Sequence, residues 1–214
     1  MSVKLPPIIA NFEYKVEDLL SSYPALSIDC ETVSLENKQV LGIGISWNGD
    51  DGLYFTNPHD PVLLGLVNRA EMIVVQNGSF DIPELRKLGC RIKSFDDTML
   101  VARACGILEC SLEAMSRSIL GRPCPSVTDQ WEKDAKGKLK QKANIGVDHD
   151  VMGRTCIVHA CNTMALYKTL PRTDLYYRID KPFLNLVIEM EGWGLEIDQY
   201  ELTKVEHSEV VQAN

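Results

Sequence analysis

The hydrophobic and polar positions change their period near residue 60. Before it the chain reads as short strands. Ala25-Leu26-Ser27-Ile28-Asp29 is a buried strand, and Val40 to Trp47 sets small residues (Gly42, Gly44, Ser46) against bulky ones (Ile43, Ile45, Trp47), the pattern of a strand with two unlike faces. Leu53 to Thr56 reads as a third strand, and the polar Asn48-Gly49-Asp50-Asp51-Gly52 between them has hairpin-loop chemistry, so three antiparallel strands open the fold. Beyond residue 60 helix and strand alternate: a helix over Pro61 to Arg69, a strand over Met72 to Val75, and a helix over Ser79 to Leu88 closed by Gly89. Helical periods then dominate over 97–106, 111–120, 151–170 and 180–191. Strands first and helices later predict a mixed sheet covered by helices.

Composition narrows the class. The chain has 214 residues, 45% hydrophobic and 24% charged, with a net charge of −8, which suits one globular domain. No apolar run approaches the ~18 residues of a membrane span, and Met1 to Pro7 lacks an apolar secretory stretch, so a soluble, intracellular (cytoplasmic) protein with no membrane partner is expected. Seven cysteines without a Cys-x-x-Cys pair predict reduced, packed thiols. An acidic balance argues against holding nucleic acid by charge alone and leaves room for local contact. Lys133, Lys136, Lys138, Lys140 and Lys142 form either a solvated loop or a phosphate-contacting arm.

Two segments could carry chemistry. In Asp29-Cys30-Glu31 the strand period puts both carboxylates on one face. Adjacent carboxylates repel unless a cation lies between them, and such hard oxygen donors suit Mg²⁺ or Mn²⁺. The second is Asn77-Gly78-Ser79-Phe80-Asp81, after the strand Met72 to Val75. Asp81 would sit in the first helical turn beside the Asp29/Glu31 strand end, where open sheets bind ligands. The alternative is a helix cap by Ser79 or Asn77, with Asp81 complementing the dipole.

Taken in order, Ser27-Ile28-Asp29-Cys30-Glu31-Thr32, Val75-Gln76-Asn77-Gly78-Ser79-Phe80-Asp81 and Phe95-Asp96-Asp97-Thr98-Met99-Leu100 resemble the DEDD (DnaQ-like) 3′→5′ exonucleases, and more closely the proofreading domain of family A DNA polymerases. Lys136 to Lys142 is similar to that family's linker before its third motif, and Pro182 to Asp198 to the stretch that opens the polymerase region. The resemblance implies an RNase H-like α/β fold with a mixed five-stranded sheet flanked by helices. It divides the chain into an exonuclease-like domain over 1–175 and a helical tail over 176–214. It also implies a two-metal site for Mg²⁺ or Mn²⁺ on Asp29, Glu31 and Asp81, with Thr32, Asn77 and Phe80 touching substrate. Single-stranded nucleic acid, DNA before RNA, is the implied partner.

The third motif departs. The family pattern is approximately Val-Asp, seven residues, then Tyr-Cys-x-x-Asp-Ala-x-x-Thr-x-x-Leu-Tyr. Here Val147-Asp148 leads into Thr155-Cys156-Ile157-Val158-His159-Ala160-Cys161-Asn162-Thr163-Met164-Ala165-Leu166-Tyr167. Cys156, Ala160, Thr163, Leu166 and Tyr167 hold the register, placing Thr155 at the tyrosine and His159 at the aspartate; a second register puts Thr155 at the aspartate. Neither supplies a fourth carboxylate. His159 is then a surrogate catalytic ligand, which Mn²⁺ tolerates better than Mg²⁺, or a packed helix residue. Asp148 and Asp150 could substitute only if their loop folds back. Two functions follow: an exonuclease of reduced activity on single-stranded 3′ ends, or a silent module docking to nucleic acid or to a separately encoded polymerase. A chain that is a piece of a longer polymerase is a third reading. The nuclease readings require Asp29, Glu31 and Asp81 to converge on one pocket.

Overall fold

The computed structural model describes residues 16–34, 36–127, 143–144, 146–194 and 196–204. The lysines of the Trp131 to Asn144 segment lie outside the described residues. Helix α1 (Val16–Ser22) precedes strands β1 (Ala25–Thr32), β2 (Val40–Ser46) and β3 (Gly52–Phe55). Then come α2 (Pro61–Arg69), β4 (Met72–Val75), α3 (Gly78–Lys87), β5 (Phe95–Asp97), α4 (Thr98–Ala104) and α5 (Leu112–Met115), the last continued by a π-helical turn over Ser116–Leu120. The long α6 (His149–Thr169) and α7 (Lys181–Trp193) follow, with a π-helical turn at Tyr176–Asp180 leading into α7.

The five strands form one mixed sheet in the order β3-β2-β1-β4-β5. β1, β2 and β3 are antiparallel, and β4 and β5 add in parallel. β1 is longer than its sequence pattern predicts. Its pairing with β2 runs on through Cys30↔Ile43, Glu31↔Gly42 and Thr32↔Val40, whereas pairing with β4 ends at Ser27↔Val74. Asp29 and Glu31 therefore lie beyond the end of β4, in a strand still braced by β2.

Sheet alternation sorts the core. Leu26, Ile28, Ile43 and Ile45 pack with Leu63, Leu66, Ile82 and Leu85 on one side of the sheet; each fully buried aliphatic side chain there contributes roughly 1.5–3 kcal/mol. A second apolar cluster of Val101, Met115, Leu166, Leu170 and Tyr176 joins α4, α5 and α6. Residues 176–193 are built into both clusters, since Tyr176 belongs to the second and Leu184 and Ile188 to the first. Asp96, wholly buried in β5, fixes this junction: its Oδ1 accepts from Tyr176 Oη at 3.0 Å and pairs with Lys181 Nζ at 2.8 Å.

All seven cysteines stand as unpaired thiols. Among the described residues no helix is long and apolar enough to cross a membrane.

Candidate active site

β1 uses its two faces differently. Leu26, Ile28 and Cys30 enter the core, so Ser27, Asp29 and Glu31 face α6. The Ser27 hydroxyl donates to the Ala160 carbonyl at 2.7 Å, and Cys156 Sγ donates to the Asp29 carbonyl at 3.2 Å. Gly44 sits opposite Asp29 in β2, and a Cβ there would stand 2.8 Å from the Cys156 carbonyl oxygen. The small face of β2 is thus the floor on which α6 rests.

This docking brings His159 to the carboxylates. His159 Nδ1 lies 3.5 Å from Asp29 Oδ2. One ligand atom each from Asp29, Glu31 and His159 lie within 4.8 Å of one another. The opposite ring nitrogen, Nε2, is 2.6 Å from the Pro125 carbonyl oxygen. A carbonyl only accepts, so Nε2 carries a proton and Nδ1 faces the acids, as a lone pair on the neutral ring or a donor on the charged one.

The electrostatics report a shortage of positive charge. Burial, then the charge of Asp29, raises the Glu31 carboxyl to about 8, with His159 pulling the other way. Asp81 is raised by the same two causes against the lowering effect of its bonds from Cys30. Burial disfavours charge on His159, but Asp29, by its charge and its hydrogen bond, pushes the imidazole well above its ordinary range. Two carboxylates and an imidazole nitrogen this close together form a donor set that could hold one divalent ion.

Asp81 is held apart from that trio. Its Oδ1 accepts the Cys30 N–H at 3.1 Å, at the edge of β1 that β4 has left. The strand therefore links Asp81 to the neighbouring Asp29 through one peptide. The turn before it is set from a distance. Asn77 takes the N-cap position of α3 with φ +67° and makes no side-chain cap; Asp97 of β5 does that work, accepting from Asn77 N at 3.2 Å, Gly78 N at 2.8 Å and Met99 N at 2.8 Å. Sequence reasoning gave Asp97 no task, and its signal lay in the Asp-Asp-Thr-Met string beside the second motif.

The remaining candidates have plainer surroundings. Thr32 is buried with its hydroxyl donated to the Ser34 carbonyl at 3.2 Å. Asn77 is exposed and takes the Ser79 hydroxyl on Oδ1. Phe80 is half-buried under the Lys38 ammonium. Thr155 is buried on α6. Asp148 and Asp150 do not fold back into the site: Asp148 caps α6 by accepting the Asp150 N–H at 2.8 Å, which also starts the helix earlier than its apolar period suggests. They stand about 15 Å along the helix from His159, at 1.5 Å per residue.

Tyr54 of β3 was missed altogether. Its hydroxyl is buried with no hydrogen-bond partner among the described residues, and burial, Cys156, Glu31 and Asp29, in that order, hold it protonated.

A β3-β2-β1-β4-β5 sheet with acidic side chains on its central strand and helices on both faces is the RNase H-like fold of the DnaQ-like exonucleases. The chain belongs to the 3′-5′ exonuclease family of family A DNA polymerases: the family model described as 3′-5′ exonuclease matches residues 10–149, ending where α6 begins. It is 28% identical over 151 residues to a DNA polymerase I of Rhizobium leguminosarum, a match that covers 65% of this chain and 14% of that protein. Among solved structures it is similar in fold to Brucella melitensis NrnC, at 17% identity and a TM-score of 0.63, over 84% of this chain and 91% of that one; NrnC has also been solved with bound Mg²⁺ and bound to pGG. It is also similar to Trypanosoma brucei RNase D in complex with RNA U12, at 11% identity and a TM-score of 0.54, over 75% of this chain and 61% of that one.

Proposed function

We propose that the protein is a metal-dependent 3′→5′ exonuclease that removes nucleotides from single-stranded 3′ ends of DNA, more slowly than relatives with four acidic ligands. The observation that carries this reading is the convergence of one ligand atom each from Asp29, Glu31 and His159 within 4.8 Å, with His159 Nδ1 3.5 Å from Asp29 Oδ2. The Mg²⁺ of NrnC and the nucleic acids bound by NrnC and RNase D support it.

Asp29, Glu31 and His159 would hold one divalent ion, with Asp81 the residue left for a second beside Asp29. Such ions supply Lewis acidity to the phosphoryl oxygens and lower the pKa of water. In the reaction a water oxygen bonds to phosphorus, the bond to the preceding nucleotide's 3′ oxygen breaks, and a water proton ends on that oxygen. A nucleoside 5′-monophosphate leaves. Glu31 and Asp29 orient the water, Pro125 fixes the imidazole plane through Nε2, and Asp81 steadies the β1 edge through Cys30. Thr32, Asn77 and Phe80 border the path of the terminal nucleotide. An imidazole ligand favours Mn²⁺ over Mg²⁺.

A 5′-labelled single-stranded oligonucleotide, incubated with Mg²⁺ and separately with Mn²⁺, should shorten stepwise from its 3′ end, faster with Mn²⁺. An intact oligonucleotide under both metals, with folded protein, defeats the proposal.

A second reading rests on the outer face of α7 and the turn before it. Ile179, Phe183, Leu186, Met190 and Trp193 are exposed at helical spacing, Trp193 at 80%. Such a stripe suits docking to a polymerase, separately encoded or continuous with this chain.

A further inference from the structure

Leaving a hydroxyl buried without a partner is unfavourable, and phenylalanine at position 54 would avoid that cost. The Tyr54 ring is nevertheless accommodated by glycines from two other elements. A Cβ on Gly42 of β2 would run into the Tyr54 hydroxyl, and one on Gly153 of α6 would stand 2.6 Å from Tyr54 Cδ1. Gly44, the floor under α6, lies directly opposite Tyr54 in β2.

The strand register says where the hydroxyl ends. Asp29, Gly44 and Tyr54 form one cross-strand row, and Glu31 and Gly42 belong to the next row on that face. The phenol leans from its own row over Gly42, so its oxygen occupies the space of a Gly42 side chain. Side chains directly opposite have Cβ atoms about 5 Å apart. The hydroxyl therefore ends on the Glu31 side of the acidic cluster, in the cross-strand place next to Glu31. Thr155, at the position where the family pattern has tyrosine, carries a shorter aliphatic hydroxyl in place of a phenol.

We infer that Tyr54 is a positioning residue whose hydroxyl hydrogen-bonds the attacking water beside Glu31. This rests on the hydrolytic reading above. The phenol neither gains nor loses a proton over the reaction. The oxygen it holds becomes part of the 5′-phosphate of the released mononucleotide, so product binding reports on the same contact without turnover.

The test is Tyr54→Phe, which keeps the ring in its slot. With Mn²⁺ and a single-stranded oligonucleotide, kcat should fall about 10- to 100-fold while KM stays within about twofold. Calorimetric affinity for thymidine 5′-monophosphate in the presence of Mn²⁺ should weaken about fivefold or more, with Mn²⁺ affinity and the metal-free Tm preserved or raised. Unchanged kcat together with unchanged mononucleotide affinity overturns the inference. So does a parallel loss of Tm, Mn²⁺ affinity and turnover, which marks a structural hydroxyl. A wild-type protein that leaves the oligonucleotide intact defeats the hydrolytic reading instead. The mononucleotide comparison then decides Tyr54: weaker binding by the variant sustains it, and equal affinity, or none in either protein, overturns it.

Discussion

His159 Nδ1 points at Asp29 Oδ2 across 3.5 Å while Pro125 holds the other end of the same ring. An imidazole aimed this way can meet the negative charge of the cluster as an imidazolium or, once deprotonated at Nδ1, as a metal ligand. It cannot do both at once, so protons and metal compete for one place.

The competition has a definite sign. The folded-state pKa of Glu31, about 8, lies above its ordinary 4.5, so the folded chain keeps a proton there that the unfolded chain releases. His159 is also raised above its ordinary 6.5. Both contributions are fully present at low pH and are lost as pH rises through the folded values. Metal-free protein should therefore lose Tm as pH rises from about 5 through about 8, by about 5 °C for a loss on the order of 2 kcal/mol, and Glu31→Gln should flatten that decline. Mn²⁺ affinity should rise over the same interval. Thermal melts and calorimetric titrations at four pH values check both.

His159→Asp supplies the carboxylate that the third motif lacks. Mg²⁺-supported turnover should rise about tenfold or more, and the advantage of Mn²⁺ should shrink, because an oxygen ligand suits the harder ion. Initial rates under each metal measure this.

Asp97, 1% exposed, accepts three backbone N–H groups and so sets the Asn77-Gly78 turn that carries Asp81. Asp97→Ala leaves those amides without their acceptor and should cost about 3 kcal/mol in urea unfolding. Asp97→Asn keeps part of the set and should cost less.

Gly44→Ala tests the floor under α6. Its methyl would meet the Cys156 carbonyl oxygen at 2.8 Å, so the helix must shift. A stability loss of roughly 1–3 kcal/mol should accompany weaker Mn²⁺ binding, because His159 and Cys156 ride on one helix. Gly65→Ala, whose methyl would meet nothing within 4 Å among the described residues, is the control.

Much of the fold was legible because its signals are local. α2 and β4 fall on their predicted bounds, and β2 has the two unlike faces its pattern predicts; that the small face receives α6 emerges only from the structure. The shared face of Asp29 and Glu31 followed from strand period alone. The extension of β1 to Thr32 was not legible, since β2 rather than local apolarity sustains it. Nor was β5, whose three residues carry no period of their own. The Asp97 cap acts across 20 residues, and the slot for Tyr54 needs glycines from β2 and α6 to meet. Such features exist only once the sheet and α6 have assembled. Asp148, read as a conditional ligand, was better understood as an N-cap.

Pulsed EPR of bound Mn²⁺ reaches the centre of the matter, because only a nitrogen ligand couples ¹⁴N to the metal. Wild-type protein should bind Mn²⁺ with an imidazole-type nitrogen coupling, His159→Gln should lose that coupling, and Asp29→Asn should lose the tight site. Mn²⁺ bound without nitrogen coupling, or with a coupling that survives His159→Gln, would contradict a centre built from Asp29, Glu31 and His159.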